Sequence, residues 1–437
     1  MKAINVGLCG VGTVGGGTAT VLKRNFDEIT RRAGRPIVIT MAANRDLVRA
    51  RELVGEGVTL TDNAMDIVNN PDIDIVVELI GGTTIAKDLV LAAIANGKHV
   101  VTANKKLIAE YGNEIFAKAQ ERGVMVAFEA AVAGGIPVIK ALREGLTANK
   151  IEWVAGIING TSNFILTEMR DKGSAFADVL AEAQRLGYAE ADPTFDIEGH
   201  DAAHKLTIMS AIAFGIPVQF DKAYLEGISK LDAADIKYAA ELGYRIKLLG
   251  MTRRRPNGIE LRVSPTLIPA NRLIANVDGV MNAVLVKGDA VGATMYYGPG
   301  AGAEPTASSV IADLVDITRL HTADPEHRVP HLAFQPSAIA NLPILPIDEV
   351  ETCYYLRLSA KDLPGVLADV TGILAEGQIS VDAMLQKPAA AAGETAEIII
   401  VTHIAIEKNI NVAIAKIEAL ASTAGKVVKL RLEHLNG

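Results

Sequence analysis

The stretch GLCGVGTVG (residues 7–15) is the strongest indication of how the amino-terminal part of the chain folds. An apolar run leads into it, a helical pattern follows it, and Gly10, Gly12 and Gly15 give the spacing G-x-G-x-x-G. Between a strand and a helix, these glycines permit a tight turn, close approach of the backbone to a pyrophosphate, and close packing of helix on strand. The amide groups at the start of the helix then face the anion. The motif therefore predicts a dinucleotide site, and the lack of G-K-[ST] argues against an NTPase loop.

The chain around this motif alternates strand and helix patterns over its first 130 residues. After the first run come the apolar strand-like runs PIVITMAA (36–43), IDIVVELIG (73–81), HVVTAN (99–104) and VMVAFEA (124–130). TATVLKRNFDEI (18–29) has the pattern of the helix that follows the glycine turn. Buried apolar strands that alternate with helices predict an α/β fold with a Rossmann-type, doubly wound parallel sheet.

The rest of the chain predicts two further regions. Strand-like runs between residues 150 and 300 follow one another directly and predict an α+β region with a mixed sheet. The order βαββαβ near the carboxyl terminus predicts a ferredoxin-like module. We expect a dinucleotide-binding domain over 1–135 plus about 303–330, an α+β domain over 136–302, a linker over 331–350, and the ferredoxin-like module over 351–437.

Composition excludes several classes of protein. A net charge of -8 at pH 7 argues against nucleic acid or an anionic membrane as a partner. No stretch approaches the roughly 18 apolar residues of a membrane helix. Cys9 and Cys353 lie far apart in apolar runs, so we expect no disulfide framework. Because free cysteines are typical of a reducing compartment, we expect a cytoplasmic location.

The residue after the second strand bears on the choice of dinucleotide. NAD sites commonly place an acid there to hold the ribose 2′-hydroxyl, whereas this chain has Asn44-Arg45. An arginine suits a 2′-phosphate, so Arg45 favours NADP, with NAD as the alternative if Arg45 is only a surface residue.

The catalytic candidates follow strands or lie in HDAAHKL (200–206). Thr102 and Lys105 follow the fourth predicted strand, at the edge where a doubly wound sheet binds ligands. Asp201 and Lys205 are spaced i, i+4 at the edge of an apolar helix, where a half-buried lysine can exchange a proton with a carbonyl oxygen. The alternative for this pair is an ordinary surface salt bridge.

Neighbouring residues of the same region allow further assignments. Glu190 and Asp196 can hold the ammonium group of a polar substrate, and Thr161 or Ser162 can cap the helix after NGTSNF (159–164). His200 and His204, four residues apart beside an acid, are also consistent with a zinc hydrolase. A hydrolase, however, has no use for a dinucleotide.

The chain resembles the homoserine dehydrogenase family along essentially its whole length. The motifs that carry the resemblance are GVGTVG, TANK, EAAVAGGIP, GIINGTSNFIL, LGYAEADPTFDIEGHDAAHK and GPGAGAEPTASSV. The tail LRLSAKDLPGVLADVTGILAEGQISV resembles an ACT regulatory domain, as in the bacterial form of the family with a carboxyl-terminal ACT module. The resemblance implies NAD(P)-dependent interconversion of L-homoserine and L-aspartate 4-semialdehyde, on the branch to threonine and methionine. It also implies that residues 136–302 form the catalytic and dimerisation domain and that residues 351–437 form the ACT regulatory domain.

The same resemblance implies roles for individual residues. Lys205 is implied as the acid/base at the substrate oxygen, Asp201 and Glu190 as substrate-binding residues with support from Asp196, and Lys105 as a second positive charge. The implied cofactor-lining residues, beyond the glycine motif and Arg45, are Thr13, Val14, Thr102, Ala103, Lys105, Gly187 and Gly302. The implied ligands of a monovalent cation such as sodium, largely through backbone oxygens, are Glu129, Val132, Gly134 and Ile136.

The ACT module implies allosteric feedback by an amino acid, L-threonine being the expected effector, bound near KDLPG (361–365) between modules of a homodimer or homotetramer. A dimerisation cap without a ligand is the alternative. A non-catalytic amino-acid sensor remains a second class of function, in which the ACT module binds a ligand and no turnover occurs.

Overall fold

The computed structural model describes residues 2–387 and 395–436. The chain divides into two compact units. The first unit consists of Met1–Gly160, Asp201–Ala223 and Val280–Leu342, and the second of Thr161–His200, Tyr224–Gly279 and Pro343–Gly437.

The secondary structure is numbered in chain order. The strands are β1 (Ile4–Cys9), β2 (Ile37–Ala43), β3 (Thr59–Thr61), β4 (Ile75–Glu78), β5 (His99–Thr102), β6 (Val126–Ala127), β7 (Ile151–Ile157), β8 (Tyr224–Leu225), β9 (Tyr244–Arg255), β10 (Gly258–Pro269), β11 (Met281–Gly288), β12 (Gly292–Pro299), β13 (Glu351–Lys361), β14 (Val381–Gln386), β15 (Thr395–Thr402), β16 (Ala405–Ile406) and β17 (Thr423–Leu432). The α-helices are α1 (Thr13–Arg24), α2 (Phe26–Ala33), α3 (Leu47–Val54), α4 (Ala64–Asn69), α5 (Thr84–Ala95), α6 (Lys105–Arg122), α7 (Val138–Lys140), α8 (Gly160–Lys172), α9 (Phe176–Arg185), α10 (Thr194–Ile197), α11 (His200–Phe214), α12 (Ala233–Glu241), α13 (Ala303–Leu320), α14 (Val366–Glu376) and α15 (Glu407–Glu418).

The first unit is built around a parallel six-stranded sheet in the order β3-β2-β1-β4-β5-β6. The strand order reverses between β1 and β4, which is where a doubly wound sheet opens a crevice for ligands. The strands β1, β4 and β5 are almost entirely buried, as expected when helices cover both faces. The predicted doubly wound parallel sheet is therefore confirmed.

Some elements of this unit do not follow the sequence prediction. The strand β3 and the helices α3 and α4 lie between the second and third predicted strands. The strand β3 has only three residues, all at least partly exposed, and so gives no apolar run. The predicted helix over 18–29 is in fact two helices, α1 and α2, because Asn25 between them has the non-helical dihedrals φ −107° and ψ 23°.

Helix α13 contributes to the hydrophobic core of the same unit. Its residues Ala307, Val310 and Leu314 belong to the core cluster that also contains β1 and β2 residues. The unit also contains an antiparallel sheet in which β11 pairs with both β7 and β12. The strand β12 was not predicted from the sequence.

The second unit contains a mixed sheet in the order β9-β10-β17-β13-β15-β14. The pair β10–β17 is parallel, and the other neighbours in this order are antiparallel. The elements β13, α14, β14, β15, α15 and β17 give the predicted βαββαβ order, with the short β16 added before α15. The predicted mixed sheet and ferredoxin-like module are confirmed.

Among the helices within the described residues, none is both long enough and apolar enough to cross a membrane.

Candidate active site

A cavity of about 600 Å³ opens at the carboxyl ends of the parallel strands. Its lining includes Gly10 and Gly12 after β1, Arg45 after β2, and Ile80 after β4. This is the crevice at the reversal of strand order, and it is open to a ligand the size of a dinucleotide.

Two glycines of the G-x-G-x-x-G motif, Gly10 and Gly12, differ in the space around them. Gly10 has φ +98°, and a Cβ on it would lie 2.7 Å from the main-chain oxygen of Leu79, so the turn is closed to larger residues. A Cβ on Gly12 would meet nothing within 4 Å. The open space beside Gly12, at the start of α1 where Thr13 and Val14 lie, suits a pyrophosphate held by helix amides.

The end of β2 carries an asparagine where NAD sites commonly have an acid. The Asn44 side chain accepts a hydrogen bond from the Val11 amide and donates one to the main-chain oxygen of Asp46, so it holds the glycine turn in place. Arg45 is exposed and lines the crevice. The second residue after β2 is therefore an exposed arginine at the crevice.

Three charged side chains of the first unit form a continuous array. The carboxylate of Asp201 lies 2.7 Å from the Lys205 ammonium through one oxygen and 2.9 Å from the Lys105 ammonium through the other. The side chains of Asp201 and Lys205 are 6% and 11% exposed, whereas that of Lys105 is 33% exposed. The i, i+4 pair is therefore a buried ion pair joined to a second lysine, and the reading as an ordinary surface salt bridge is wrong.

Two residues of the segment before α8 complete this array. The Asn159 amide donates a hydrogen bond of 2.8 Å to Asp201, and the Lys205 ammonium donates one of 2.7 Å to the main-chain oxygen of Ile158. The sequence reasoning missed both residues, although Asn159 is the first letter of the quoted motif NGTSNF. These three partners hold the buried Asp201 carboxylate in a fixed geometry.

The charge of Asp201 is set by competing effects. Burial raises the pKa of this carboxyl group, but the ammonium groups of Lys205 and Lys105 and the hydrogen bond from Asn159 outweigh burial and hold the pKa well below its usual range. Asp201 is therefore ionised at neutral pH, and its single negative charge is shared by the two lysine side chains.

The start of α6, which carries Lys105, is held by its own hydrogen bonds. The Thr102 hydroxyl at the end of β5 donates to the buried carboxylate of Glu78 and accepts from the Asn104 amide. The side-chain oxygen of Asn104 accepts a hydrogen bond from the Leu107 amide and so caps the start of α6. Ala103 is partly buried against the core of the unit. Glu78 was not predicted as a site residue, although a lone acid at the end of an apolar strand was a signal for it.

The remaining predicted ligand residues of the acidic segment lie in the second unit. Glu190 is exposed and its main-chain oxygen accepts from Gln184, while Asp196 is half-buried in α10. Gly187 lies two residues after the end of α9 and has φ +77°. Gly302 lies instead in the first unit, directly before α13, with φ +130°.

Thr161 and Ser162 do not act as the predicted helix caps. Helix α8 begins at Gly160, so both residues lie inside it. The Thr161 hydroxyl donates to the main-chain oxygen of Tyr188, and the Ser162 hydroxyl donates to that of Asp196. Both hydroxyls bind the acidic segment within the second unit rather than the end of their own helix.

The histidines of HDAAHKL do not form a zinc site. His200 is exposed and stacks on Phe195, whereas His204 is buried with its ring centroid 4.1 Å from that of Phe220. Within residues 2–387 and 395–436, no group of three or more His, Cys, Asp or Glu side chains could hold a metal ion.

The segment 129–136 is a buried loop between β6 and α7 with an unusual backbone. Ala133 and Gly134 both have positive φ, of 56° and 48°. Three main-chain oxygens of this loop each accept a hydrogen bond. The donor to Gly134 is the Ser309 hydroxyl, the donor to Ile136 is the Val138 amide, and the donor to Glu129 is the Val132 amide. Each carbonyl has a second lone pair, so these hydrogen bonds leave room for a cation ligand.

The Glu129 side chain is held inside the protein near the same loop. The Glu129 carboxylate accepts hydrogen bonds from the main-chain amides of Ile139 and Lys140. The main-chain amide of Glu129 donates a hydrogen bond to the Asp313 carboxylate. Burial, reinforced by the Asp313 carboxylate, raises the pKa of Glu129 to about 7. A buried set of hard oxygen donors is the type of environment that binds sodium or potassium ions in preference to softer metals.

Comparison with known proteins agrees with this geometry. Residues 10–129 match the NAD-binding domain model of homoserine dehydrogenase, residues 137–315 match the homoserine dehydrogenase model, and residues 354–422 match the ACT domain model. A homoserine dehydrogenase of Pseudomonas aeruginosa is 65% identical over 437 residues, which is 100% of both chains.

Solved structures give the same result. The crystal structure of a homoserine dehydrogenase from Thiobacillus denitrificans is 71% identical, with a TM-score of 0.95 over 100% of this chain and 99% of that one. A hyperthermophilic archaeal homoserine dehydrogenase in complex with NADPH is 26% identical, with a TM-score of 0.63 over 74% of this chain and 99% of that one.

Neither a non-catalytic sensor nor a zinc hydrolase finds support in these similarities, which cover both the dinucleotide-binding and the catalytic regions. The chain belongs to the homoserine dehydrogenase family of NAD(P)-dependent oxidoreductases.

Proposed function

We propose that Lys205 is the general acid of the homoserine dehydrogenase reaction, in which the aldehyde of L-aspartate 4-semialdehyde is reduced to the alcohol of L-homoserine. When bound, the reduced nicotinamide supplies a hydride to the aldehyde carbon. The aldehyde oxygen gains the electron pair of the broken C=O π bond and takes a proton from the Lys205 ammonium. In the oxidative direction the same amine accepts the proton from the alcohol.

The observation that supports this proposal is the buried Lys205–Asp201–Lys105 array. Negative charge grows on the substrate oxygen during hydride transfer, and fixed positive charge in a partly dehydrated site stabilises it. Asp201 keeps both ammonium groups charged and oriented, but it neutralises only one of the two. Lys105 then contributes electrostatic stabilisation while Lys205 transfers the proton.

Replacement of Lys205 by methionine tests this role. General acid–base catalysis contributes about 10²–10⁴-fold, so kcat for oxidation of NADPH by aspartate semialdehyde should fall by that factor. The matched control is Lys106→Met, because Lys106 is adjacent to Lys105 but exposed, 3.8 Å from Glu110. A folded Lys205→Met enzyme with wild-type kcat contradicts the assignment.

We also propose that Glu190 and Asp196 hold the ammonium group of the substrate, with Asp201 orienting its reacting end. Their acidic side chains in the segment after α9 support this assignment, as does the family motif that contains them. Removal of a substrate-binding charge weakens binding of the ground state and transition state alike, so Glu190→Gln should raise KM for aspartate semialdehyde more than it lowers kcat.

For the cofactor, we propose NADP, with NAD as the weaker alternative. Arg45 at the end of β2 can pair with a 2′-phosphate, and no carboxylate occupies position 44, next to it, to bind a ribose 2′-hydroxyl. The archaeal relative described above binds NADPH. Steady-state kinetics with NADPH and NADH test the proposal, which requires the higher kcat/KM with NADPH.

The buried loop 129–136 is proposed to bind a monovalent cation such as sodium through the backbone oxygens of Glu129, Val132, Gly134 and Ile136. Its buried carbonyls and the positive φ of Ala133 support the proposal, since a strained backbone persists where a ligand or surrounding structure stabilises it. The unfolding temperature should rise with NaCl relative to an equal ionic strength of a large organic cation.

The ACT module is proposed to bind an amino-acid effector, L-threonine, near residues 361–365 in a homodimer or homotetramer. Threonine should then slow turnover and raise the unfolding temperature at the same concentrations, because a ligand that binds only the folded state stabilises it. A cytoplasmic location is also proposed, and the two cysteines, both buried and free, are consistent with it.

A further inference from the structure

A buried carboxylate lies where the dinucleotide crevice meets the start of α6. Glu78 is the last residue of β4, pairs in register with Thr102 at the end of β5, and is 0% exposed. One of its oxygens accepts hydrogen bonds from the amides of Ile80 and Gly81, at 2.9 and 3.0 Å. Glu78 therefore fixes the loop that follows β4.

The other carboxylate oxygen of Glu78 fixes the loop that follows β5. It accepts a hydrogen bond of 2.7 Å from the Thr102 hydroxyl, and that hydroxyl accepts one of 3.0 Å from the Asn104 amide. The Asn104 side chain donates to the main-chain oxygen of Gly82 and caps α6. The two loops are thus joined at two places, and Lys105 is the first residue of the helix that results.

The loop after β4 also lies against the phosphate-binding turn. A Cβ on Gly10 would approach the main-chain oxygen of Leu79 to 2.7 Å and the amide of Ile80 to 3.0 Å. Ile80 in turn lines the crevice. A displacement of this loop would therefore shift the glycine turn and, through Glu78, the start of α6.

A carboxylate in this position is costly unless it has a specific purpose. Burying an ionised group costs several kcal/mol, and a well-packed apolar side chain could close the end of the strand without that cost. Three donors satisfy the Glu78 carboxylate in a fixed geometry. The charge is thus used to hold the two loops in register rather than to contact a ligand.

We infer that Glu78 is a positioning residue that sets Lys105, through Thr102 and Asn104, relative to the phosphate-binding turn. The inference rests on the proposed function in one respect, because it requires that Lys105 acts in the reaction. Glu78 is fully buried, so its effect on catalysis passes through the position of the Lys105 ammonium beside Asp201.

The substitution Glu78→Gln weakens the link to Thr102 and spares the link to the loop after β4. A glutamine keeps one oxygen, and facing its NH₂ group toward two backbone amides is worse than facing it toward a hydroxyl, whose proton can rotate away. The amide oxygen then stays on the Ile80 and Gly81 amides, and the NH₂ group donates to the Thr102 hydroxyl oxygen. The charge-assisted hydrogen bond becomes a neutral one of opposite direction, and the buried Thr102 hydroxyl proton loses its carboxylate acceptor. The side chain is isosteric, so the packing at the end of β4 is kept.

The expected result is a separation of kcat from dinucleotide binding. A displacement of a catalytic group by about 1 Å can cost about 10²-fold, so kcat of the Glu78→Gln enzyme should fall by about 10- to 100-fold. The Kd for NADPH, measured by its fluorescence, should change by less than about threefold, because the phosphate-binding turn is intact. The matched control is Asp74→Asn, which changes a carboxylate at the opposite end of β4 that accepts from the Asn5 amide, and it should keep wild-type kcat.

A double-mutant cycle with Lys105→Met tests the route of the effect. If Glu78 acts through Lys105, Glu78→Gln should slow the Lys105→Met enzyme by less than about twofold. An equal slowing in both backgrounds, or a Glu78→Gln enzyme with wild-type kcat, overturns the inference and leaves the role of Lys105 standing. A Lys105→Met enzyme with wild-type kcat overturns the role of Lys105 and the inference with it.

A second variant covers the case in which Glu78→Gln does not fold. Thr102→Val leaves the carboxylate bonded to the loop after β4 and removes only the hydroxyl that connects it to Asn104. The inference is supported if Thr102→Val lowers kcat as Glu78→Gln does and if the double mutant Thr102→Val/Lys105→Met is no slower than Lys105→Met alone. Additive effects of Thr102→Val and Lys105→Met contradict it.

Discussion

Replacement of Asp201 by asparagine removes the charge that holds the two lysines of the active site. The substitution preserves shape and leaves the Asn159 amide beside the site, but it leaves the ammonium groups of Lys105 and Lys205 without the carboxylate they share. We expect loss of both stability and activity. The size of each loss follows from burial and distance.

The loss of stability comes mainly from the pair with Lys205. At 2.7 Å and an effective dielectric constant near 20, the attraction of one pair is about 6 kcal/mol before desolvation is subtracted. Removing one member of a buried pair costs about 3–5 kcal/mol. Lys105 is one-third exposed, so its pair adds little. For a domain of 150–250 residues this corresponds to a fall in the unfolding midpoint of about 6–20 °C.

The difference between wild type and Asp201→Asn should depend on pH in a defined direction. Although burial alone raises the pKa of Asp201, the two lysines lower it below its unfolded value. A depressed carboxyl pKa stabilises the folded state above the unfolded pKa of about 3.9, and that stabilisation is lost as pH falls toward the folded pKa. The gap in unfolding free energy should be constant between about pH 5 and 8 and should narrow below about pH 4.

Thermal unfolding at one scan rate and steady-state kinetics measure these effects. We expect kcat of Asp201→Asn to fall by at least about 10²-fold, since proton transfer and orientation are both impaired. Asp74→Asn, at the far end of β4, serves as the control for loss of a carboxylate. An Asp201→Asn enzyme with the midpoint and kcat of wild type refutes the assignment of a bridging charge.

Three further predictions concern the crevice and a buried lysine. Gly12→Ala should keep the wild-type unfolding midpoint yet raise the Kd for NADPH by about tenfold or more, because its Cβ enters the open space beside the turn. Gly10→Ala should instead lower the free energy of unfolding by about 1–3 kcal/mol, because the alanine would have positive φ and its Cβ would contact Leu79. Arg45→Ala should raise the KM for NADPH by about 10- to 100-fold and leave that for NADH nearly unchanged, as steady-state kinetics can measure. Burial lowers the pKa of Lys247 to about 8, so the unfolded state binds more protons than the folded state between pH 8 and 10.5. The free energy of unfolding of the wild type, relative to that of Lys247→Met, should therefore rise by about 3 kcal/mol across that range. Denaturant unfolding at several pH values measures this rise.

Local patterns were sufficient where a structure depends on neighbours along the chain. The glycine turn and the buried strands β1, β2, β4 and β5 were predictable because a parallel sheet covered on both faces requires continuous apolar runs. The strand β3 was missed because it is a short, partly exposed edge, stabilised by pairing with β2 rather than by its own side chains.

The candidate site divides in the same way. The pair Asp201–Lys205 was visible because a helix places residues four apart on one face, but its burial was not. The contacts of Asp201 with Lys105 and Asn159 join distant segments, and no local spacing predicts such a meeting. The role of Glu78 likewise depends on hydrogen bonds between two loops.

Sequence patterns alone were thus sufficient to predict the doubly wound sheet, the family, and the residue types available for chemistry. Which charges are buried together became visible only in the folded chain, because burial and pairing arise from contacts between segments that are far apart along the chain. That difference has a physical consequence, since the same Asp and Lys contribute little when exposed and several kcal/mol when they share a site that excludes water.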